Sequence, residues 1–191
     1  MNFLKLNRVF AFSILLIVFS CKKETTEHAP VSSNTTLFSL ADTKTTGVLF
    51  SNDLIENDAF NAFKYEYFYN GSGVSVGDIN NDGLPDIYFT GNMVDDKLFL
   101  NKGNLKFEDI TEKALKKQAK GWHTGTTFAD VNGDGFLDIY VCKGGDENIY
   151  KDQSNLLYIN NGDLTFTEQA QNYGLNDSNN STQAAFFDYD L

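Results

Sequence analysis

One 17-residue pattern occurs twice in this chain and limits its fold more than any other feature. GVSVGDINNDGLPDIYF at 73–89 recurs as GTTFADVNGDGFLDIYV at 125–141, an offset of 52 residues from Asp78 to Asp130. A second block follows each copy: LFLNKGNLKF at 98–107 and LYINNGDLTF at 157–166, now offset by 59 residues. The extra seven residues fall around Asp146 to Asn155. A third copy starts at QAAFFDYD, 183–190, and stops at Leu191. Repeats with a fixed period signal one supersecondary unit used several times.

Each unit reads as strand, acidic loop, strand, connection, strand, Asn-x-Gly turn, strand. Short β-branched and aromatic runs bounded by Asn, Gly and Asp carry the strand signal. Helical periodicity is scarce, and only Thr111, Glu112 and Lys113 offer a start for one or two helical turns before Lys120. Four antiparallel strands per repeat of this size match a β-propeller blade, whose sheet cannot bury both faces alone and stacks on its neighbours. The expected fold is therefore all-β, built from such blades. Closure needs at least about four blades. Two units and the start of a third predict an incomplete propeller in this chain, read as the N-terminal part of a longer protein.

The loops carry the chemistry. Asp78, Asn80, Asp82 and Asp86 occupy positions 1, 3, 5 and 9, Gly83 occupies position 6, and Leu84 offers its main-chain carbonyl at position 7. Asp130, Asn132, Asp134, Gly135, the Phe136 carbonyl and Asp138 repeat the set. Oxygen donors at these spacings can converge on one point, and glycine permits the sharp turn. Three carboxylates and an amide oxygen favour Ca²⁺, which accepts six to eight flexible oxygen ligands; Mg²⁺ is the second choice, and zinc lacks nearby His or Cys. The cation would offset carboxylate repulsion and tie binding to folding. A metal-free acidic turn is the alternative, and its duplication argues against it. An EF-hand is also disfavoured. Position 12 is Phe89 or Val141 rather than Glu, and strand-like residues follow the loop.

These repeats resemble the FG-GAP/VCBS repeats of integrin α-subunit propellers and many secreted bacterial proteins. The run YFYNGSGVSVGDINNDGLPDIYFTGN at 67–92 is similar to VCBS-repeat lipoproteins of the Bacteroidota, relatives of cartilage acidic protein that often carry an ASPIC/UnbV domain. The resemblance covers roughly residues 37–191 and implies calcium ligation at both loops just described. It also matches Asp188 and Asp190 to positions 1 and 3 of a third loop. No ASPIC/UnbV segment is visible in the sequence.

The N-terminus is set aside from fold reasoning. Lys5 and Arg8 precede an apolar run from Val9 to Phe19, then Ser20 and Cys21. The run is short for a membrane span, which needs about 20 apolar residues. The order resembles a bacterial lipoprotein signal, residues 1–20, cut before a lipidated Cys21. Bulky Phe19 departs from the stricter lipobox in a way similar to Bacteroidota lipoproteins. An ordinary signal with an incidental cysteine, or an uncleaved anchor, are the alternatives. Polar residues 21–36 read as a tether. The repeat domain is expected over 37–191, with a leading segment at 37–72, repeat 1 at about 73–120, repeat 2 at about 121–180 and the start of repeat 3 at 181–191.

The processed chain would run from Cys21 to Leu191, and its formal charge would shift from −11 to −13. Such acidity disfavours nucleic acid and anionic membranes as partners, leaving the lipid as the membrane contact. The expected location is the cell envelope, most naturally the outer membrane, on a face the sequence leaves open. With Cys21 lipidated, Cys142 is the other thiol and no intrachain disulfide forms. Cys142 sits in an apolar run and reads as a packed thiol. Trp122 and His123 read as packing or turn residues, with a ligand contact as the sharper alternative. The cluster Phe60, Phe63, Tyr65, Tyr67, Phe68 and Tyr69 reads as core, with sugar stacking as its alternative. No phosphate loop, zinc motif or nucleophile elbow is evident. The expected function is a non-enzymatic binding or adhesion module for a protein or glycan; a propeller-scaffold carbohydrate-active enzyme and a structural accessory of an envelope assembly are the alternatives.

Overall fold

The repeat grammar is realised as two four-stranded antiparallel sheets. The computed structural model describes residues 37–116 and 118–189. The readings for residues 1–36, with Cys21, and for Asp190 lie outside the described residues. The first sheet runs β1 (Val74–Gly77), β2 (Asp86–Phe89), β3 (Lys97–Asn101) and β4 (Phe107–Asp109), neighbours in that order. The second repeats it with β5 (Trp122–Ala129), β6 (Asp138–Gly144), β7 (Leu156–Asn160) and β8 (Phe166–Glu168). Among the described residues, three single-turn helices accompany them: α1 (Thr43–Thr46), α2 (Thr111–Ala114) and α3 (Ala170–Tyr173).

The registers of the two sheets agree where it matters. Gly77 pairs with Asp86 at the base of the first acidic loop, and Ala129 pairs with Asp138 at the base of the second. Both loops are thus hairpin connections between the first two strands of a sheet. The residues after each loop enter strands β2 and β6, as the sequence requires, and no helix follows.

The main core forms where the sheets face each other. Tyr88, Leu98, Leu100 and Ile79 from the first repeat pack with Ile139, Val141, Leu156 and Tyr158 from the second. Residues two apart along a strand share a face, so the alternation in β2 sends Asp86 and Tyr88 inward. Each fully buried large apolar side chain contributes about 1.5–3 kcal/mol. Tyr140, Cys142, Leu157 and Ile159 form the opposite face of the second sheet, against Leu175 and Ala184.

The sequence signal at Thr111 becomes α2. Its counterpart α3, after β8, had no clear sequence signal. Ala114 and Ala170 are buried beneath these turns, Asp109 and Glu168 accept the first amide of each, and Gly174 closes α3 in the left-handed conformation. The leading segment contributes a separate aromatic cluster, in which Phe60 and Phe68 enclose Trp122 with Tyr65 and Tyr150 at its margin.

β5 is longer than β1 and its pairing with β6 shifts between His123 and Thr126. At this bulge Gly125 stays buried but leaves the pairing with β6, and its N–H donates to the Thr182 carbonyl at 2.9 Å. Ser181 N–H likewise donates to Lys143 O at 2.9 Å. Residues 181–183 therefore run alongside the second sheet.

Candidate metal centres

Each acidic loop is wrapped around its first aspartate. Gly83 N–H donates to Asp78 Oδ2 at 2.7 Å, and the amides of Asn80 and Asp82 donate to Oδ1. Asp130 does the same: Gly135 N–H donates to Oδ2 at 2.9 Å, and Gly133 and Asp134 donate to Oδ1. Burial pushes the Asp78 carboxyl upward, but these amides outweigh it and hold it below the usual carboxylate range. Asp82 and Asp134 each accept the N–H two residues on, from Leu84 and Phe136, at 2.9 Å. Asn80 and Asn132 donate through Nδ2 to Asp82 and Asp134.

The ninth position does something the spacing alone did not reveal. Asp86 is fully buried and accepts Ile79 N–H at 2.9 Å and Asn101 N–H at 2.7 Å. Asp138 accepts Val131 N–H at 2.9 Å and Asn160 N–H at 2.8 Å. The Asn of each Asn-x-Gly turn is therefore tied to the acidic loop of its own sheet. Its Oδ1 accepts the glycine N–H, from Gly103 or Gly162. Its Nδ2 donates to Pro85 O in the first sheet and to Leu137 O in the second. Burial pushes Asp86 and Asp138 above the ordinary range; the amides oppose the shift, and the other loop carboxylates, Asp82 with Asp78 and Asp134 with Asp130, add to it.

Among the described residues, no three His, Cys, Asp or Glu side chains are gathered into a ready cation cage. The reason is visible in the hydrogen bonds: the carboxylates point at loop amides. The donor chemistry nevertheless fits a hard cation. Every side-chain donor is oxygen or carboxamide, the set is duplicated, and the carboxylates of each loop feel one another's charge. Asp188 lies beside Asp130 and Val131 at a surface depression.

Both loops are also joined to each other. Asn81 Nδ2 donates to Gly135 O at 2.9 Å, and Asn160 Nδ2 donates to Ile79 O at 2.8 Å. Two loops with one hydrogen-bond plan, at equivalent hairpins of packed four-stranded sheets, define the repeat. Residues 78–141 match the FG-GAP-like repeat family. The matched stretch runs from the first loop aspartate of one sheet into β6 of the next, so it contains both acidic loops. No curated protein matches the chain. The FG-GAP-like match thus covers both loops and the strands from β2 into β6, and the two four-stranded sheets form an all-β arrangement of the propeller-like kind.

Outside the FG-GAP-like loops, a buried polar network was missed by sequence reasoning. His123 Nδ1 lies 2.8 Å from both Asp96 oxygens, and Tyr88 O–H donates to Asp96 Oδ2 at 2.6 Å. Gly91 N–H adds a fourth contact to Asp96. Burial first, then the Asp96 charge, raises Tyr88 well above its usual value. Three segments supply these residues, so no local spacing announces them. His123 is buried, as its packing role requires, while its Nε2 faces no hydrogen-bond partner among the described residues. Burial pushes the Cys142 thiol up to about 11, in keeping with a packed rather than reactive thiol.

Proposed function

We propose that this chain is a calcium-stabilised propeller-repeat module, tethered to the cell envelope through lipid on Cys21, that binds a protein or glycan without catalysing a reaction. One observation carries the metal part of the reading. Each acidic loop holds three mutually repelling carboxylates at an equivalent hairpin of a packed sheet. A cation at Asp78, Asn80, Asp82, Asp86 and the Leu84 carbonyl would cancel that repulsion. Asp130, Asn132, Asp134, Asp138 and the Phe136 carbonyl would do so in the second loop. The bound ion would supply charge neutralisation and hairpin rigidity; the hydrogen bonds that Asp86 and Asp138 accept from Asn101 and Asn160 already connect each hairpin to its third strand. Asp188 and Asp190 would open a third site. The lipid anchor and outer-membrane location are supported by the order of basic residues, apolar run and Cys21.

The test is calcium removal. EGTA is expected to lower the melting temperature, and Asp82→Ala and Asp134→Ala are each expected to lose about one Ca²⁺ per chain by calorimetric titration. A melting curve indifferent to EGTA would refute the structural-metal reading.

A further inference from the structure

We propose that the pocket where the starts of β1 and β5 meet residues 180–183 is a binding site for a neutral saccharide. The proposal rests on the reading of the chain as a binding module and gives that module a ligand class and a location. The pocket encloses about 460 Å³, within the range of small-ligand sites. Its position is set by the fold. Residues 70–73 lead into β1, 122–125 open β5, and the bulge at Thr124–Gly125 brings 181–183 alongside.

The wall chemistry selects the ligand. Charged residues make up 21% of the chain, yet none lines this pocket. An anionic ligand would find no counter-charge there, and the neighbouring Glu66 carboxylate is already engaged by the Tyr67 hydroxyl. What the wall offers instead is aromatic surface with carboxamides and hydroxyls. Tyr67 is half-exposed, and its ring is braced edge-on by Tyr65 at 5.7 Å, which in turn meets Trp122 at 5.5 Å. A braced, half-exposed ring is an apolar platform already ordered before binding. The side chains of Asn70, Ser72, Asn180 and Thr182 make no hydrogen bond among the described residues, so their donors and acceptors are unspent. Tyr65 Oη accepts Gly145 N–H at 3.2 Å and keeps its own proton to give. Gly71, at φ +84°, has nothing within 4 Å of the place a Cβ would take, so a ligand can approach the backbone there. A pyranose matches this pattern: one C–H face for the ring, and hydroxyls that both donate and accept.

The acidic loops leave the opposite ends of β1 and β5, after Gly77 and Ala129. Sugar binding here is therefore separate from calcium ligation.

The experiment titrates the full chain with neutral gluco-, manno- and xylo-oligosaccharides, with uronate and sulfated oligosaccharides as charged arms. Trp122 is the single tryptophan, so its fluorescence reports on the pocket, and calorimetry checks it. Saturable binding of a neutral oligosaccharide is expected. Tyr67→Ala and Asn180→Ala, both at exposed positions, should each weaken it at least about tenfold while melting curves stay unchanged. Neutral-sugar binding that survives both substitutions overturns the site. So does binding lost in Asp82→Ala but kept in Tyr67→Ala, or binding confined to charged oligosaccharides. Capture of a protein partner with no sugar bound also overturns it and leaves the binding-module reading standing. No ligand of any class would end both.

Discussion

Asp86 serves the hairpin in two ways that its place in the motif does not separate. It belongs to the oxygen set of the first loop, and it also closes two backbone N–H groups, those of Ile79 and Asn101. Asp82 is different, being exposed and accepting only from its own loop. Replacing Asp86 with Ala strands two amides, and each costs about 1–3 kcal/mol when buried and unpaired. Asp86→Ala should therefore destabilise by about 2–6 kcal/mol in EGTA, and by more in calcium, where a cation ligand is lost as well. Asp82→Ala should stay within about 1 kcal/mol of the parent in EGTA, since exposed positions tolerate change. Denaturant unfolding in both buffers checks the pair; equal losses in EGTA would remove the distinction. The acidic positions were legible because their spacing is local. The inward duty of Asp86 was not, because Asn101 reaches it through a third strand. The Tyr88–Asp96–His123 network stayed hidden for the same reason.

At the scale of elements, the hairpins after β3 and β7 show how sequence and packing divide the work. Both begin with an Asn-x-Gly turn, visible in the sequence, and both then place leucine in a left-handed conformation, Leu105 at φ 57° and Leu164 at φ 64°. That conformation costs a non-glycine residue about 1–2 kcal/mol. Leu105 is 68% exposed and recovers little of it, while Leu164 packs against the shared core. Leu105→Gly should thus raise stability by about 0.5–1 kcal/mol, whereas Leu164→Gly should lower it. Thermal melts of the two variants provide the check, and equal effects would contradict the argument. Strand order was legible because β-branched and aromatic runs alternate with turn residues. α3 was not, because Gln169 makes no side-chain cap and the turn rests on the Glu168 carboxylate, the left-handed Gly174 and the burial of Ala170.

Across the whole molecule, the two sheets share their main core. Leu98 of the first repeat lies fully buried in the cluster that also contains Ile139 and Tyr158 of the second. Leu98→Ala should cost about 2–5 kcal/mol and shift a single unfolding transition. Two transitions, one unchanged, would show that the repeats fold independently. The outward face of the first sheet keeps Val74 and Val76 largely exposed. Repetition in the sequence made stacking legible, but the bonds across the joint were not, since they depend on which side chains meet. The bond from Asn81 to Gly135 is the telling one, because it runs from one acidic loop to the next. Were calcium the cation, ordering one loop would prepare its neighbour, and the coupling would be reciprocal. Occupancy would then rise more steeply with free calcium than independent sites allow. A row of such loops would respond as a threshold detector rather than as a buffer.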